Sequence, residues 1–318
     1  MRVLVTGSSG FIGFHLSKKL LSKGHQVVGV DNHNSHYDEK LKEYRNSILS
    51  EFSNFKFKSG DINKINDFLD PDLKFDLAVN LAAQAGVRVK KEKEHLYNET
   101  NVKGFENFCI FCKNRNIKSV IYASSSSVYS DKGGGKFSED LTPLEPKSIY
   151  GLTKLQNELF AQSFSKKYQI SMIGLRFFSV FGPMGRPDMA YYAFAESLLN
   201  NSVIYLNNKG KMRRDMTYID DIVDGIMSSI NLVMREHQNN EIFNLGNDKP
   251  IETLAMLETI EKKINKKASI KNVKTDNESI YTHSDNKKAE IILGYNPKIT
   301  FDNGIENFLN WYLKYEKY

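Results

Sequence analysis

Cysteine is scarce in this chain, with two in 318 residues, and both fall in the stretch Cys109-Ile110-Phe111-Cys112. Without a second pair there is neither a zinc set nor a disulfide framework, and no metal is expected. Phe105, Phe108, Ile110 and Phe111 around the cysteines point to the packed side of a buried helix in preference to a redox pair. Long hydrophobic runs are missing as well. No apolar stretch approaches the roughly 18 residues that a membrane-crossing helix needs, and the chain enters Arg2-Val3-Leu4-Val5-Thr6 without a charged leader. A cytoplasmic protein with no membrane partner is the expectation. The charge excess is only +6, and the lysines gather around Lys262 to Lys274 and near the C-terminus without interleaved aromatics. They read as a solvated helix face, so no nucleic-acid partner is expected. Repeats and low-complexity linkers are absent too. The length suits one large α/β domain plus a smaller one.

What is present begins with strand, turn, helix and strand. Val3-Leu4-Val5 has a buried-strand pattern, Gly7-Ser8-Ser9-Gly10-Phe11-Ile12-Gly13 is the turn, His15 to Ser22 is helical, and Gln26 to Val30 is a strand ending at Asp31. The glycine spacing is GxxGxxG. Such glycines permit a tight turn, let the backbone approach a pyrophosphate and pack helix on strand, while the helix N-terminus offers amides to the phosphates. Asp31 would accept hydrogen bonds from ribose hydroxyls and repel a 2′-phosphate. NAD is therefore favoured over NADP, and neither Asn32 nor His33 adds an arginine to reverse this. Gly7, Ser9, Gly10, Phe11, Ile12, Gly13, Asp31 and Asn32 are assigned to the cofactor.

A helix around Asp38 to Leu49 precedes a third strand, Phe55 to Asp61, whose Asp61, followed by Ile62, is placed near the adenine. The fourth strand, Asp76 to Ala82, runs into Ala83-Gln84-Ala85-Gly86-Val87-Arg88, small residues suited to backbone lying under a ligand. Leu81, Ala82, Ala83, Gln84 and, from a long helix over 98–115, Asn101 complete the cofactor set. Ser119 to Ala123 is the fifth strand and ends in Ser124-Ser125-Ser126-Ser127, at the strand end where open parallel sheets hold ligands. Ser148 then starts a helix that carries Tyr150 and Lys154 on one face. A nearby ammonium favours the phenolate, so the pair suits proton transfer. Met172 to Phe178 is the sixth strand, after which strict alternation stops. The fold expected is an α/β Rossmann-type doubly wound parallel sheet over 1–178. A smaller α/β C-terminal substrate-binding lobe follows over 179–318, with segments near 215–246 completing the sheet.

With the glycine turn, serine cluster and Tyr-Lys pair assembled, the chain resembles the extended short-chain dehydrogenase/reductase superfamily (NAD-dependent epimerase/dehydratase family), and most of all the UDP-glucuronate 4-epimerases. The stretches that carry this are Asn80 to Arg88, Tyr122 to Tyr129, Leu175 to Phe178, Phe181 to Ala190 and Gly210 to Asp221. The resemblance implies that Tyr150, as phenolate, takes the proton of the sugar 4-hydroxyl while hydride passes from C4 to tightly held, recycled NAD. Lys154 holds the nicotinamide ribose and, with the positive nicotinamide, depresses the tyrosine pKa; Ser125 hydrogen-bonds the same hydroxyl. Ser126 and Ser127 stand where related dehydratases carry Asp-Glu and related decarboxylases a glutamate. Neutral hydroxyls there suit a sugar carboxylate.

For the UDP-sugar the resemblance implies Arg88, Ser179, Arg186, Met189 and Arg214, with Thr282 where some galactose-type epimerases have a tyrosine and Glu278 as the nearest acid for the nucleotide ribose. Asn80 and Arg213 read as structural. Val89, Ser130 and the loop Lys274 to Glu278 depart from the subgroup's pattern. A homodimer through Phe105 to Phe111 and Leu155 to Phe164 is implied, burial under the sheet being the competing account. The competing functions are a 4-epimerase of UDP-glucose or a UDP-N-acetylhexosamine, and a non-catalytic dinucleotide-binding regulator.

Overall fold

Val3-Leu4-Val5, Leu77-Ala78-Val79 and Val120-Ile121-Tyr122 are apolar at every position, the pattern of strands covered on both faces, and all of these side chains are buried. The structure is a computed structural model describing residues 1–129, 135–235, 240–274 and 279–315. Its strands are β1 (Arg2–Thr6), β2 (Gln26–Asp31), β3 (Phe55–Ser59), β4 (Leu77–Asn80), β5 (Ser119–Ser125), β6 (Ser171–Phe177), β7 (Ser179–Phe181), β8 (Val203–Asn207), β9 (Arg213–Tyr218), β10 (Asn240–Leu245), β11 (Pro250–Glu252) and β12 (Ser269–Val273). Seven form one sheet in the order β10-β6-β5-β4-β1-β2-β3, parallel throughout. The remainder form a three-stranded sheet, β11-β9-β7, and the parallel pair β12-β8. β10 joins the large sheet beside β6, whereas residues 213–218, expected near that sheet, lie in the three-stranded one.

The helices are α1 (Phe11–Ser22), α2 (Glu39–Ser50), α3 (Ile65–Phe68), α4 (Glu94–Tyr97), α5 (Gly104–Asn114), α6 (Ile149–Tyr168), α7 (Ala190–Leu199), α8 (Ile219–Arg235), α9 (Thr253–Ile264), α10 (Lys287–Leu293) and α11 (Phe301–Tyr315). The alternation of the strands sorts their side chains between two layers. Val3 and Val5 pack with Phe14, Leu20, Ile222 and Ile226 of α1 and α8. Leu4 faces the other way, toward Phe105, Phe108, Ala161 and Phe164 of α5 and α6. Cys109 and Cys112 are buried in that second layer, and burial pushes both thiols up, as packing residues require. No described helix is long and apolar enough to cross a membrane.

Two boundaries differ from the sequence reading. α1 starts at Phe11, directly after the extended Gly10, because the third glycine of the turn already belongs to the helix. The helix expected over 98–115 begins with a π-helical turn, Asn98–Lys103, before α5.

Candidate active site

Strand order reverses between β1 and β4, so the crevice above their carboxyl ends is where an open parallel sheet takes its ligand. Gly7 leaves β1 at φ +72°, and a Cβ there would lie 2.7 Å from the backbone of Leu81 and Ala82. From the helix side, a Cβ on Gly13 would come within 2.0 Å of Gly7 O. Only hydrogen fits at either position. The first turn of α1 has no side-chain cap and no acidic residue, which leaves its amides to an anion. At the end of β2, Asp31 accepts from Ser9 N at 3.1 Å and from His33 N at 2.9 Å. His33 Nε2 lies 2.8 Å from Ser9 Oγ, with its ring stacked on Phe57. Asn32 Nδ2 donates to Asp61 at 3.3 Å, tying the ends of β2 and β3. A glycine cradle, an uncapped helix N-terminus and a strand-end carboxylate together fit a dinucleotide.

Two assigned cofactor residues look inward instead. Ile62 is buried against Gly104, and the Asn101 side chain holds Gln84 N (2.8 Å), Gln84 O (3.0 Å) and Thr153 Oγ1 (3.0 Å). Asn101 thus fastens the loop after β4 to α6, with its amide protons engaged there.

The serine cluster meets α6 because Gly151 has no side chain. Ser148 Oγ caps the helix by accepting from Gly151 N at 3.1 Å, and a Cβ on Gly151 would lie 2.1 Å from Ser127 O. Ser125, the last residue of β5, accepts from Ser127 N at 3.1 Å and hydrogen-bonds Tyr150. One turn along, Lys154 is 1% exposed, donates to Ala123 O at 2.9 Å and stands 5.8 Å from the Tyr150 ring centroid. Burial lowers the Lys154 pKa to about 8, with Glu158 opposing.

Burial also acts on Tyr150 and raises its pKa; the Arg186 guanidinium and, after it, the Ser125 hydrogen bond work against this. Arg186, a residue read as a nucleotide ligand, adds a charge that eases ionisation of Tyr150, beside the Lys154 ammonium already expected there. Arg186 is paired with Asp188, Nε to Oδ1 at 3.0 Å and a second bond through Nη2. Against the pull of burial, Arg186 holds the Asp188 carboxyl below its usual range. Gly86, at φ +106°, passes beside the pair, where a Cβ would sit 3.5 Å from Arg186 Nη2. Tyr97 is a further member that the sequence reading missed: its hydroxyl donates to Ala85 O and Gly86 O at 3.1 Å, and its ring lies edge-on to Tyr150 at 6.4 Å.

The other assigned substrate residues divide. Ser126 and Ser127 form the short turn after Ser125, half-buried beside Tyr150's helix. Ser179 opens β7, Met189 precedes α7, and Arg88 is exposed on the loop after Gly86. Arg214 donates to Arg213 O, and Thr282 Oγ1 accepts from Asp215 N at 3.1 Å, so these two gather at β9. Asn80 accepts from Thr6 Oγ1 in the core, and Arg213 pairs with Glu252 on the surface. Glu278 and Ser130 lie outside the described residues.

Beneath the site runs a buried polar chain. Ser124 donates to Glu158, which takes two bonds from Arg176 at 2.9 and 2.7 Å. Arg176 Nη1 donates to Tyr129 Oη (2.7 Å), and that hydroxyl donates to Asn244 Oδ1 on β10 (2.8 Å).

A doubly wound parallel sheet with this glycine turn, and with serine, tyrosine and lysine gathered at the end of β5, defines an extended short-chain dehydrogenase/reductase. The chain belongs to the NAD dependent epimerase/dehydratase family, whose model matches residues 3–246. It is 36% identical to UDP-glucuronate 4-epimerase 4 of Arabidopsis thaliana, over 98% of this chain and 75% of that protein. An uncharacterised protein of Methanocaldococcus jannaschii is 44% identical over 98% of this chain and 96% of its own length. Among solved structures, the UDP-glucuronic acid 4-epimerase of Bacillus cereus, in complex with UDP-glucuronic acid and NAD, superposes with a TM-score of 0.91 at 31% identity, covering 99% of this chain and 100% of that one.

Proposed function

We propose that the protein is an isomerase, an NAD-dependent 4-epimerase that interconverts UDP-glucuronate and UDP-galacturonate. The observation that carries this is the meeting of Tyr150, Ser125 and Lys154 beside a turn whose next residues, Ser126 and Ser127, are neutral. The glycine turn Gly7 to Gly13 and Asp31 would hold NAD, which would supply a hydride acceptor and donor for C4 and a positive ring whose field favours the phenolate. Tyr150 takes the proton of the 4-hydroxyl and gives it back, and Ser125 orients that hydroxyl. Lys154, with a pKa near 8, carries its charge at neutral pH. Ser126 and Ser127 hold the sugar carboxylate by hydrogen bonds without adding a carboxylate that would promote elimination. Arg186 and Arg214 supply guanidiniums for the diphosphate and the uracil edge.

Residues 1–178, with β10, serve as the cofactor half, and most of 179–318 serves as the nucleotide-sugar lobe. A homodimer in the cytoplasm belongs to the same reading. Phe105, Phe108 and Phe111 are buried within the chain, so the face left to a partner copy is the one that carries Ile110, Leu152 and Leu159, between 44% and 58% exposed.

The test is to incubate the purified protein, without added NAD, with UDP-glucuronate, UDP-glucose and UDP-N-acetylglucosamine separately and to follow the sugars by proton NMR. UDP-galacturonate as the only product is the expected result. Epimerisation of a neutral sugar alone would overturn the roles of Ser126 and Ser127, and bound NAD with no turnover of any of the three would overturn the assignment.

A further inference from the structure

The loop that delivers Arg186 is held from the dinucleotide side. Three consecutive carbonyls of that loop, those of Pro183, Met184 and Gly185, accept hydrogen bonds from side chains on α1 and α2. His15 Nε2 bonds Pro183 O at 3.0 Å, and Arg45 Nη2 donates to Met184 O at 2.6 Å and to Gly185 O at 3.1 Å. The other arm of the same guanidinium, Nη1, donates to Ser9 O at 3.0 Å, inside the glycine turn, and to Tyr37 Oη at 2.6 Å. Arg45 has no solvent exposure. Burying a guanidinium is costly, and here it bonds carbonyls and a phenol that lie far apart in the chain. The loop has little slack to absorb its loss: Met184 is left-handed at φ 58°, and a Cβ on Gly185 would lie 1.7 Å from Tyr191 Oη.

We propose that Arg45 is a positioning residue for the epimerisation: bonded to the cofactor turn through Ser9 and to the Arg186 loop through Met184 and Gly185, it sets where Arg186 stands relative to Tyr150. The geometry makes the two half-sites one mechanical unit. Displacing the glycine turn moves Ser9 O, hence the guanidinium, hence the carbonyls that precede Arg186. The inference rests on the 4-epimerase reading of the site. The groups that face Tyr150 and Arg186 from their surroundings are Tyr97 of α4, Ser125 of β5, Lys154 of α6, Tyr191 of α7, Lys42 of α2, Asp188 of the loop itself, and His36 and Tyr37 of the segment before α2. With Arg186 drawn away, burial acts on the phenol with less opposition, and ionisation needs a higher pH.

The experiment compares wild type with Arg45→Lys, which keeps the charge but loses the fork, and with His15→Leu, which removes the bond to Pro183 O together with the ring contacts to Phe11 and Phe14. Four quantities are read: bound NAD by absorbance, affinity for UDP by calorimetry, the pH dependence of kcat/KM with UDP-glucuronate, and Tm. Arg45→Lys is expected to keep its NAD, to bind UDP about 10-fold more weakly, a loss of the size of one charged contact, and to move the rising limb of kcat/KM to higher pH. His15→Leu is expected to move the same limb in the same direction by less. If Tm alone falls, with UDP affinity and the limb unchanged in both variants, Arg45 is structural and the proposal is overturned. If wild type does not turn over UDP-glucuronate, the functional reading falls, and the UDP affinities of the variants still decide the role of Arg45.

Discussion

In the proposed reaction Tyr150 must give up its proton in a place where burial keeps the phenol protonated. Arg186 and Ser125 oppose that burial from two sides, and neither stands on its own helix. Replacing Tyr150 with Phe removes the proton carrier and little else; turnover is expected to fall by about 10³, within the range for a lost acid-base group, with NAD and UDP still bound. NMR turnover and calorimetry check this together. Lys154 sets the other side of the pH range. Its pKa is lowered to about 8, so its charge is complete below that pH and is lost as pH rises through it. kcat is expected to decline on the alkaline side around pH 8, and a profile still climbing at pH 9 would show that the lysine charge is dispensable. The placing of Tyr150 and Lys154 beside the serine run was legible from helical spacing and a strand end, and Ser125 was singled out within that run by the resemblance. His15, His33 and Arg45 were not, since their partners are an acidic strand end's neighbour and backbone carbonyls of a loop far along the chain, which leave no pattern in the sequence.

Among the elements, the first turn of α6 matters most, because it must lie on the serine turn. Gly151 provides that contact, and Gly151→Ala would put a Cβ 2.1 Å from Ser127 O. The helix and the serine turn then separate, at a cost of about 1–3 kcal/mol for overpacking. Because Ser125 and Tyr150 lie on opposite sides of that contact, kcat is expected to fall by more than Tm implies, about 10²-fold. Thermal melting beside steady-state kinetics separates the two effects. Most strands could be read to within a residue or two, because buried parallel strands are continuously apolar. The start of α1 could not. Gly13 reads as part of a turn, yet it is helical, and its missing side chain serves packing against Gly7 O rather than backbone freedom. Likewise Leu159 reads as part of an apolar helix side but is 58% exposed, because α6 turns Thr153, Lys154, Asn157, Glu158, Ala161 and Phe164 inward.

At the scale of the whole molecule, Ile110 of α5 and Leu152 and Leu159 of α6, the helix that carries Tyr150 and Lys154, are exposed. Leu159→Glu places a charge among them and is expected to convert a dimer into monomers in sedimentation velocity without loss of bound NAD; a dimer that persists would remove these residues from the interface. The large sheet was legible as alternating strand and helix up to β6, and the return of β10 only as a late segment near 215–246. The small sheets were not, since β7 and β11 are too short to carry a period. The late arrival of β10 has its own consequence for how the protein is made. While the chain is being synthesised, β6 is an open edge of a parallel sheet until residues 240–245 emerge to cover it. The same strand brings Asn244 to Tyr129, closing the buried chain under the serine cluster. The floor under the serine cluster is therefore incomplete until β10 emerges, and a nascent chain halted before it would leave the β6 edge unpaired.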